Sequence, residues 1–175
     1  MDIKRISSGE NPPHSVNVVI EIPMGADPVK YEIDKDTGAL FVDRMLRTAM
    51  YYPCNYGFIP NTLSLDGDPT DVLVLCDERL VPGCVIPVRP IGVLLMEDES
   101  GKDEKILAVP VNKISPLYAN KQSYTDIPES KLDQISHFFS HYKDLEKNKW
   151  VKVIGWEDTK IAEQLIQEAI DRFDD

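Results

Sequence analysis

The chain reads as a run of short alternating segments followed by two segments of helical period. In Val16-Asn17-Val18-Val19-Ile20-Glu21-Ile22, the residues Val16, Val18, Ile20 and Ile22 share one strand face, and Glu21 points opposite it. Val29–Asp34 alternates strictly, with Val29, Tyr31 and Ile33 one way and Lys30, Glu32 and Asp34 the other. Lys35-Asp36-Thr37-Gly38 predicts a hairpin turn and Ala39–Arg44 its return strand, which brings Arg44 near Lys30 and Glu32. Tyr51–Pro60, rich in aromatics, Pro and Gly, predicts an ordered loop with a short strand. Thr62–Leu65 and Asp71–Cys76 read as strands on either side of an acidic turn. Val85–Leu95 is a long apolar stretch whose Pro87 and Pro90 predict bends or bulges. A charged loop spans Met96–Lys105, and Ile106–Val111 is the next strand. Short strands joined by tight turns argue for a small closed or partly open β-barrel.

The period then changes. Thr125-Asp126-Ile127-Pro128 is a helix start, with Asp126 as the expected cap and Pro128 in the first turn. Leu132, Ile135, Phe138, Phe139, Tyr142 and Leu145 form an apolar stripe at helical spacing. Trp150–Gly155 returns as a strand. Asp158 or Thr159 caps a second helix with Ile161, Leu165, Ala169 and Phe173 on or near one face. No repeat, low-complexity tract or linker divides the chain, so one domain, residues 1–175, is expected.

Composition narrows the function. A net charge of −11 argues against a general nucleic-acid binder, which needs a basic patch. Three cysteines, Cys54, Cys76 and Cys84, make an odd count without paired spacing, which argues against a disulfide framework and against zinc. The first residues lack an apolar signal region and no apolar run reaches the length of a membrane span, so a cytoplasmic protein with no membrane partner is expected.

The chemistry concentrates in Asp66-Gly67-Asp68-Pro69-Thr70-Asp71, where three carboxylates fall within six residues. Asp66 and Asp68 point the same way if extended, and Pro69 biases Asp68 away from the helical region. Carboxylates held together call for a positive partner, and hard divalent cations prefer their oxygens. A solvated acidic turn is the plain alternative. An EF-hand is excluded: counting from Asp66, the sixth position is Asp71 rather than glycine and the twelfth is Asp77 rather than glutamate. A metal-assisted hydrolase fits better, with Asp98 and Asp103 on a later loop and Lys30, Arg44, Lys105 and Lys143 to grip phosphate oxygens. His137 and His141 lie i,i+4, a spacing that can chelate a metal. With no acidic or cysteine partner beside them in sequence, a helix face or a subunit contact is the better reading.

The run Asp66–Val72 resembles the signature of the soluble family I inorganic pyrophosphatases. So do Glu21-Ile22-Pro23, Lys30-Tyr31-Glu32, Gly38–Arg44, Tyr52–Gly57, Asp98-Glu99 and His137–Glu146, which are similar to blocks of the short bacterial form. The resemblance covers nearly the whole chain. It implies an α+β, mainly β fold: a small OB-like closed barrel with two C-terminal helices packed outside. It implies hydrolysis of pyrophosphate to two phosphates with three to four Mg²⁺ per site, in a homohexamer that has His137 and His141 at a subunit contact.

By the same resemblance, Asp66, Asp71 and Asp103 would hold one activating metal, and Asp71 would be shared with a second. Asp98, Asp103 and Glu32 would place the metals that arrive with substrate, and Glu21 would hold metal-bound waters. Lys30 and Tyr56 would contact the phosphate under attack; Arg44, Tyr142 and Lys143 would contact the leaving one. Lys105 and Tyr52 would support the polar cavity, and Asp68 would be the general base for the bridging water. The seven carboxylates and four cations of this set sum to −3, so a polyanionic substrate requires metals. A non-catalytic OB-fold module binding single strands is the rival of another class, and it lacks the basic groove. A hydrolase of other phosphoanhydrides, such as nucleotides, is the nearer one.

Overall fold

The structure, a computed structural model, describes residues 1–174; Asp175, the last residue of the expected domain, lies outside the described residues. In chain order it forms β1 (Val16–Ile22), β2 (Val29–Ile33), β3 (Leu40–Met45), β4 (Asn55–Phe58), β5 (Asp71–Val74) and β6 (Val85–Asp98). Then come β7 (Gly101–Lys102), β8 (Lys105–Pro110), α1 (Glu129–His141), β9 (Val151–Glu157) and α2 (Thr159–Asp174). β1 pairs with β4, β4 with β5, β5 in parallel with β8, β8 with β6, and β6 returns to β1. These pairings close a ring, the small OB-like barrel that the turn-rich strand pattern and the resemblance predict. β2 and β3 form a separate two-stranded hairpin at its rim, and β9 extends β6.

Alternation along the strands sorts side chains into two clusters. Val72 and Val74 join Val16, Val18 and Ile20 in a cluster closed by Ala162 and Ile166 of α2. Leu73, Leu94 and Leu107 pack with Ile135, Phe138, Phe139 and Tyr142 of the α1 stripe. β1 changes cluster at a bulge between Ile20 and Ile22, after which Ile22 faces the α1 side. β1 and β4 approach closely: a Cβ on Gly57 would stand 2.0 Å from the Val19 carbonyl oxygen, so only glycine fits there.

Five expectations change. Thr62–Leu65 forms no strand. Thr62 Oγ1 donates to the Ile59 carbonyl and accepts from Thr70 N–H, Leu63 N–H donates to Ala169 of α2, and Leu65 is exposed. The acidic loop therefore runs from the end of β4 to Asp71. The expected charged loop is mostly sheet, because β6 continues to Asp98 against β9 and turns into β7. Asp126 caps a single 3₁₀ turn, Tyr124–Asp126, in a capping box with Ser123; α1 starts at Glu129 with Pro128 at its N-cap. Leu145 lies beyond α1 and is exposed. On α2, capped by Asp158, the fully buried face is Ala162, Ile166 and Ala169; Ile161 and Leu165 are half-buried and Phe173 is exposed.

Candidate active site

The bulge in β1 leaves Glu21 as the extra residue, so its carboxylate leaves the barrel wall without breaking the ladder. Glu21 is buried, and its Oε1 accepts from Ile33 N–H at 2.7 Å. Burial pushes its carboxyl up to about 7; the neighbouring Asp71 and Glu32 act the same way, while the Ile33 amide and Lys35 oppose them. On the rim hairpin, the register sets Lys30 opposite Arg44, and a bulge there makes Asp43 the extra residue. The Lys30 ammonium lies 2.5 Å from Glu32 and 3.7 Å from Asp43. Arg44 lies 2.9 Å from Asp43 and 2.7 Å from Glu146.

The acidic loop is fixed by its own backbone. Asp66 Oδ1 accepts from Asp68 N–H at 3.0 Å, Ser64 N–H donates to the Asp68 carbonyl, and Gly67 takes φ 93°. Asp66 and Asp68 are exposed at the cavity mouth. Partial burial, with Asp71, Asp103 and Asp68 nearby, raises the Asp66 carboxyl although the Asp68 amide opposes it. Asp71 opens β5, Lys105 opens β8, and the parallel register Val72↔Ile106 sets them side by side. The Lys105 ammonium lies 2.5 Å from both Asp71 Oδ2 and Asp103 Oδ1. Burial alone would lower the pKa of that ammonium. The charges of Asp71, Asp103 and the adjacent phenols outweigh that, so it stays protonated.

Asp98 ends β6 and meets Lys143, just past α1, at 2.7 Å. Burial would raise its carboxyl, but Lys143 and the Ser100 amide together hold it below the usual range. Tyr56 and Tyr142 are buried, which pushes both phenols upward and keeps them as donors.

A cavity of about 190 Å³ gathers Lys30, Arg44, Tyr56, Asp66, Asp68, Asp71, Asp98, Asp103, Lys105, Tyr142 and Lys143. A smaller lobe beside it adds Glu21 and Glu32. Tyr52 is the one expected residue outside both. It packs behind them, its ring 4.8 Å from Phe138 and 5.9 Å from Tyr56, and its phenol is pushed up by burial. The cavity also brings in Glu99 and Lys149, 3.6 Å apart, and the lobe brings in Lys35. Ser100 also lines the cavity, and Asp43 and Glu146, which hold Arg44, likewise had no role assigned from the sequence. Glu99 stood in a matching block beside Asp98, a signal that could have found it. Lys35 and Lys149 carried none, because their positions depend on the folded hairpin and loop.

His137 and His141 lie on an exposed face of α1 with ring centroids 4.7 Å apart. Contrary to the sequence expectation, an acidic partner does stand beside them: Asp144 is 2.8 Å from His141 Nδ1. Two larger cavities, of about 470 and 360 Å³, lie beside His137 and over Cys54 and Cys76; both are mainly apolar and unsuited to a polyanion. Burial pushes the Cys54 thiol up to about 12, and the cysteines are unpaired.

The donor chemistry of the polar cavity is uniform. Its charged ligands are carboxylate oxygens, the donors that hard divalent cations prefer. Among the described residues no three such groups converge to ligand distance. Lys105 bridges Asp71 and Asp103, so one ammonium serves both carboxylates.

Residues 18–174 match the inorganic pyrophosphatase family. The chain is 61% identical to an inorganic pyrophosphatase of Agrobacterium fabrum over 99% of this chain and 98% of that one. It is similar to the crystal structure of inorganic pyrophosphatase from Thermus thermophilus, with 45% identity, all of both chains covered and a TM-score of 0.94. It is also similar to the structure of an inorganic pyrophosphatase from Coxiella burnetii, with 52% identity, 96% and 99% of the two chains covered and a TM-score of 0.93.

Proposed function

Since the chain belongs to the inorganic pyrophosphatase family, we propose that its polar cavity hydrolyses pyrophosphate by direct attack of water with Asp68 as general base. The enzyme is a hydrolase, its substrate is pyrophosphate, and the family works with a divalent metal; we take the ion to be Mg²⁺, three to four per site. The observation that carries the reading is the composition of one cavity: Asp66, Asp68, Asp71, Asp98 and Asp103 interleaved with Lys30, Arg44, Lys105 and Lys143. A polyanion and its counter-cations need both sets of groups in one place.

Asp66, Asp71 and Asp103 would hold one ion, with Asp71 shared by a second. Asp98, Asp103 and Glu32 would place those that enter with substrate, and Glu21 would accept hydrogen bonds from waters around them. Bound divalent ions supply charge neutralisation and lower the pKa of water toward neutrality. Lys30 and the protonated Tyr56 orient the phosphate under attack. Arg44, Tyr142 and Lys143 hold the leaving phosphate and offset its growing charge. Asp68, exposed at the cavity mouth, takes the proton of the attacking water. Lys105 keeps Asp71 and Asp103 together, and Tyr52 backs Tyr56. Phosphate release from pyrophosphate and from ATP, each with and without Mg²⁺, tests the reading. Release from pyrophosphate only with Mg²⁺ is expected, and its absence would overturn the proposal.

We further infer a cytoplasmic homohexamer in which the exposed His137, His141 and Asp144 meet another subunit.

A further inference from the structure

Cations lining the polar cavity are, with one exception among the described residues, already matched to a carboxylate within 4 Å. Lys30, Arg44, Lys105, Lys143 and Lys149 each have such a partner. The exception is Lys35, in the turn between β2 and β3. It lines the lobe that holds Glu21, Glu32, Asp68 and Asp71, yet has no ion pair. Its ammonium sits over the Phe58 ring, 4.8 Å from the centroid. The ring face attracts the cation without neutralising it and keeps it from folding back onto a carboxylate. Phe58 is itself buried, so the platform is rigid.

We propose that Lys35 is a charge-setting residue of the site, held on Phe58 to weaken divalent-cation binding in the Glu21 lobe and to strengthen the hold on phosphate. A cavity that must take up cations and a polyanion, then release phosphate, needs neither affinity at its maximum. A fixed positive charge moves the two in opposite directions. Lys35 and Glu21 line the same lobe, so the charge lies within the space the cations would share. Across a partly wet cavity, removing one charge changes ion affinity by about three- to tenfold. Lys35 acts through the field and is not assigned a contact with the reacting atoms.

The inference rests on the cavity being the metal and pyrophosphate site, and the test separates the two. Wild type, Lys35→Gln and Lys35→Arg would be titrated calorimetrically with Mg²⁺ alone, and with inorganic phosphate at saturating Mg²⁺. Melting temperature serves as the folding control, and Lys35→Arg as the charge-retaining control. Lys35→Gln should bind Mg²⁺ about three- to tenfold tighter and phosphate weaker by a similar factor, with Lys35→Arg near wild type. A purely structural role would weaken both. Shifts in the same direction, in only one titration, or in neither would overturn the proposal. A wild type that binds no Mg²⁺ would instead overturn the reading of the cavity itself.

Discussion

Lys105→Met removes the ammonium that bridges Asp71 and Asp103 while keeping a chain of similar length against Tyr56. The Lys105 side chain is 4% exposed, and those of Asp71 and Asp103 are 22% and 11% exposed. Removing one member of a buried ion pair destabilises by about 3–5 kcal/mol, because the other charge stays behind unpaired. Asp71 retains some water, which places the loss at the low end, about 3 kcal/mol. For a chain of this size that lowers Tm by about 6–12 °C. The working pH should be about 8, well above the carboxylate range, so that the two acids do not simply take up a proton.

Mg²⁺ should reverse part of the loss. Ammonium and metal compete for the same oxygens, so the variant binds the ion more tightly. Each tenfold gain in affinity adds about 1.4 kcal/mol of stabilisation at saturating ion. Thermal melts of both proteins in chelator and in millimolar Mg²⁺ measure this directly. The gap between them should be wide in chelator and narrower in Mg²⁺. A loss under about 1 kcal/mol in chelator, or a gap indifferent to Mg²⁺, would refute the idea that Lys105 holds a cation's place.

Asp68→Asn should lose about 10²–10⁴-fold in kcat while changing Mg²⁺ affinity less than Asp71→Asn does; near-normal turnover would remove Asp68 as the base. Glu21, raised to about 7 in the fold from 4.5, binds more protons native than unfolded between those values. Stability in chelator should therefore fall as pH rises from the lower to the higher, by about 3 kcal/mol at most, and Glu21→Gln should flatten that slope. Urea unfolding at successive pH values reads it, and an unchanged slope in the variant would assign it elsewhere. Asn55, fully buried, accepts from Met24 and Leu80 N–H and donates to the Glu78 carbonyl and Cys76 Sγ. Asn55→Ala should lose about 2–4 kcal/mol in urea unfolding, and a loss below 1 would mean that water replaces these bonds. If this face of α1 meets another subunit, replacing His137 and His141 together by Ala should give smaller species on sizing; an unchanged size would leave the histidines without that role.

Much of the barrel was readable because its strands alternate, and alternation reports which side is buried. The pattern misled where tertiary bonds took over. Thr62–Leu65 has the right residues for a strand, but its backbone groups bond locally and to α2. Met96–Asp98 looks like a polar loop and is strand because β9 lies beside it. The acids of Asp66–Asp71 announced themselves by density. Their meeting with Glu21, Glu32, Asp98 and Asp103 could not be read from spacing, since ring closure produces it; only the likeness of many ordered blocks to one family pointed there.

The cations show the same limit more sharply. From the sequence they read as phosphate grips, and nothing suggested that they also serve as counter-ions to the carboxylates. That second role is a matter of register. Val72 pairs with Ile106 across the parallel β5–β8 ladder, which sets Asp71 beside Lys105 at the mouth of the ring. Asp103 closes from the same side, two residues before Lys105. A slip of one residue would turn Lys105 to the opposite face and leave Asp71 and Asp103 unneutralised. The apolar residues that fix this register, Val72 and Ile106, are both buried in the cluster shared with α2. Core packing on one face of β5 and β8 thus decides the charge balance of the cavity at their ends.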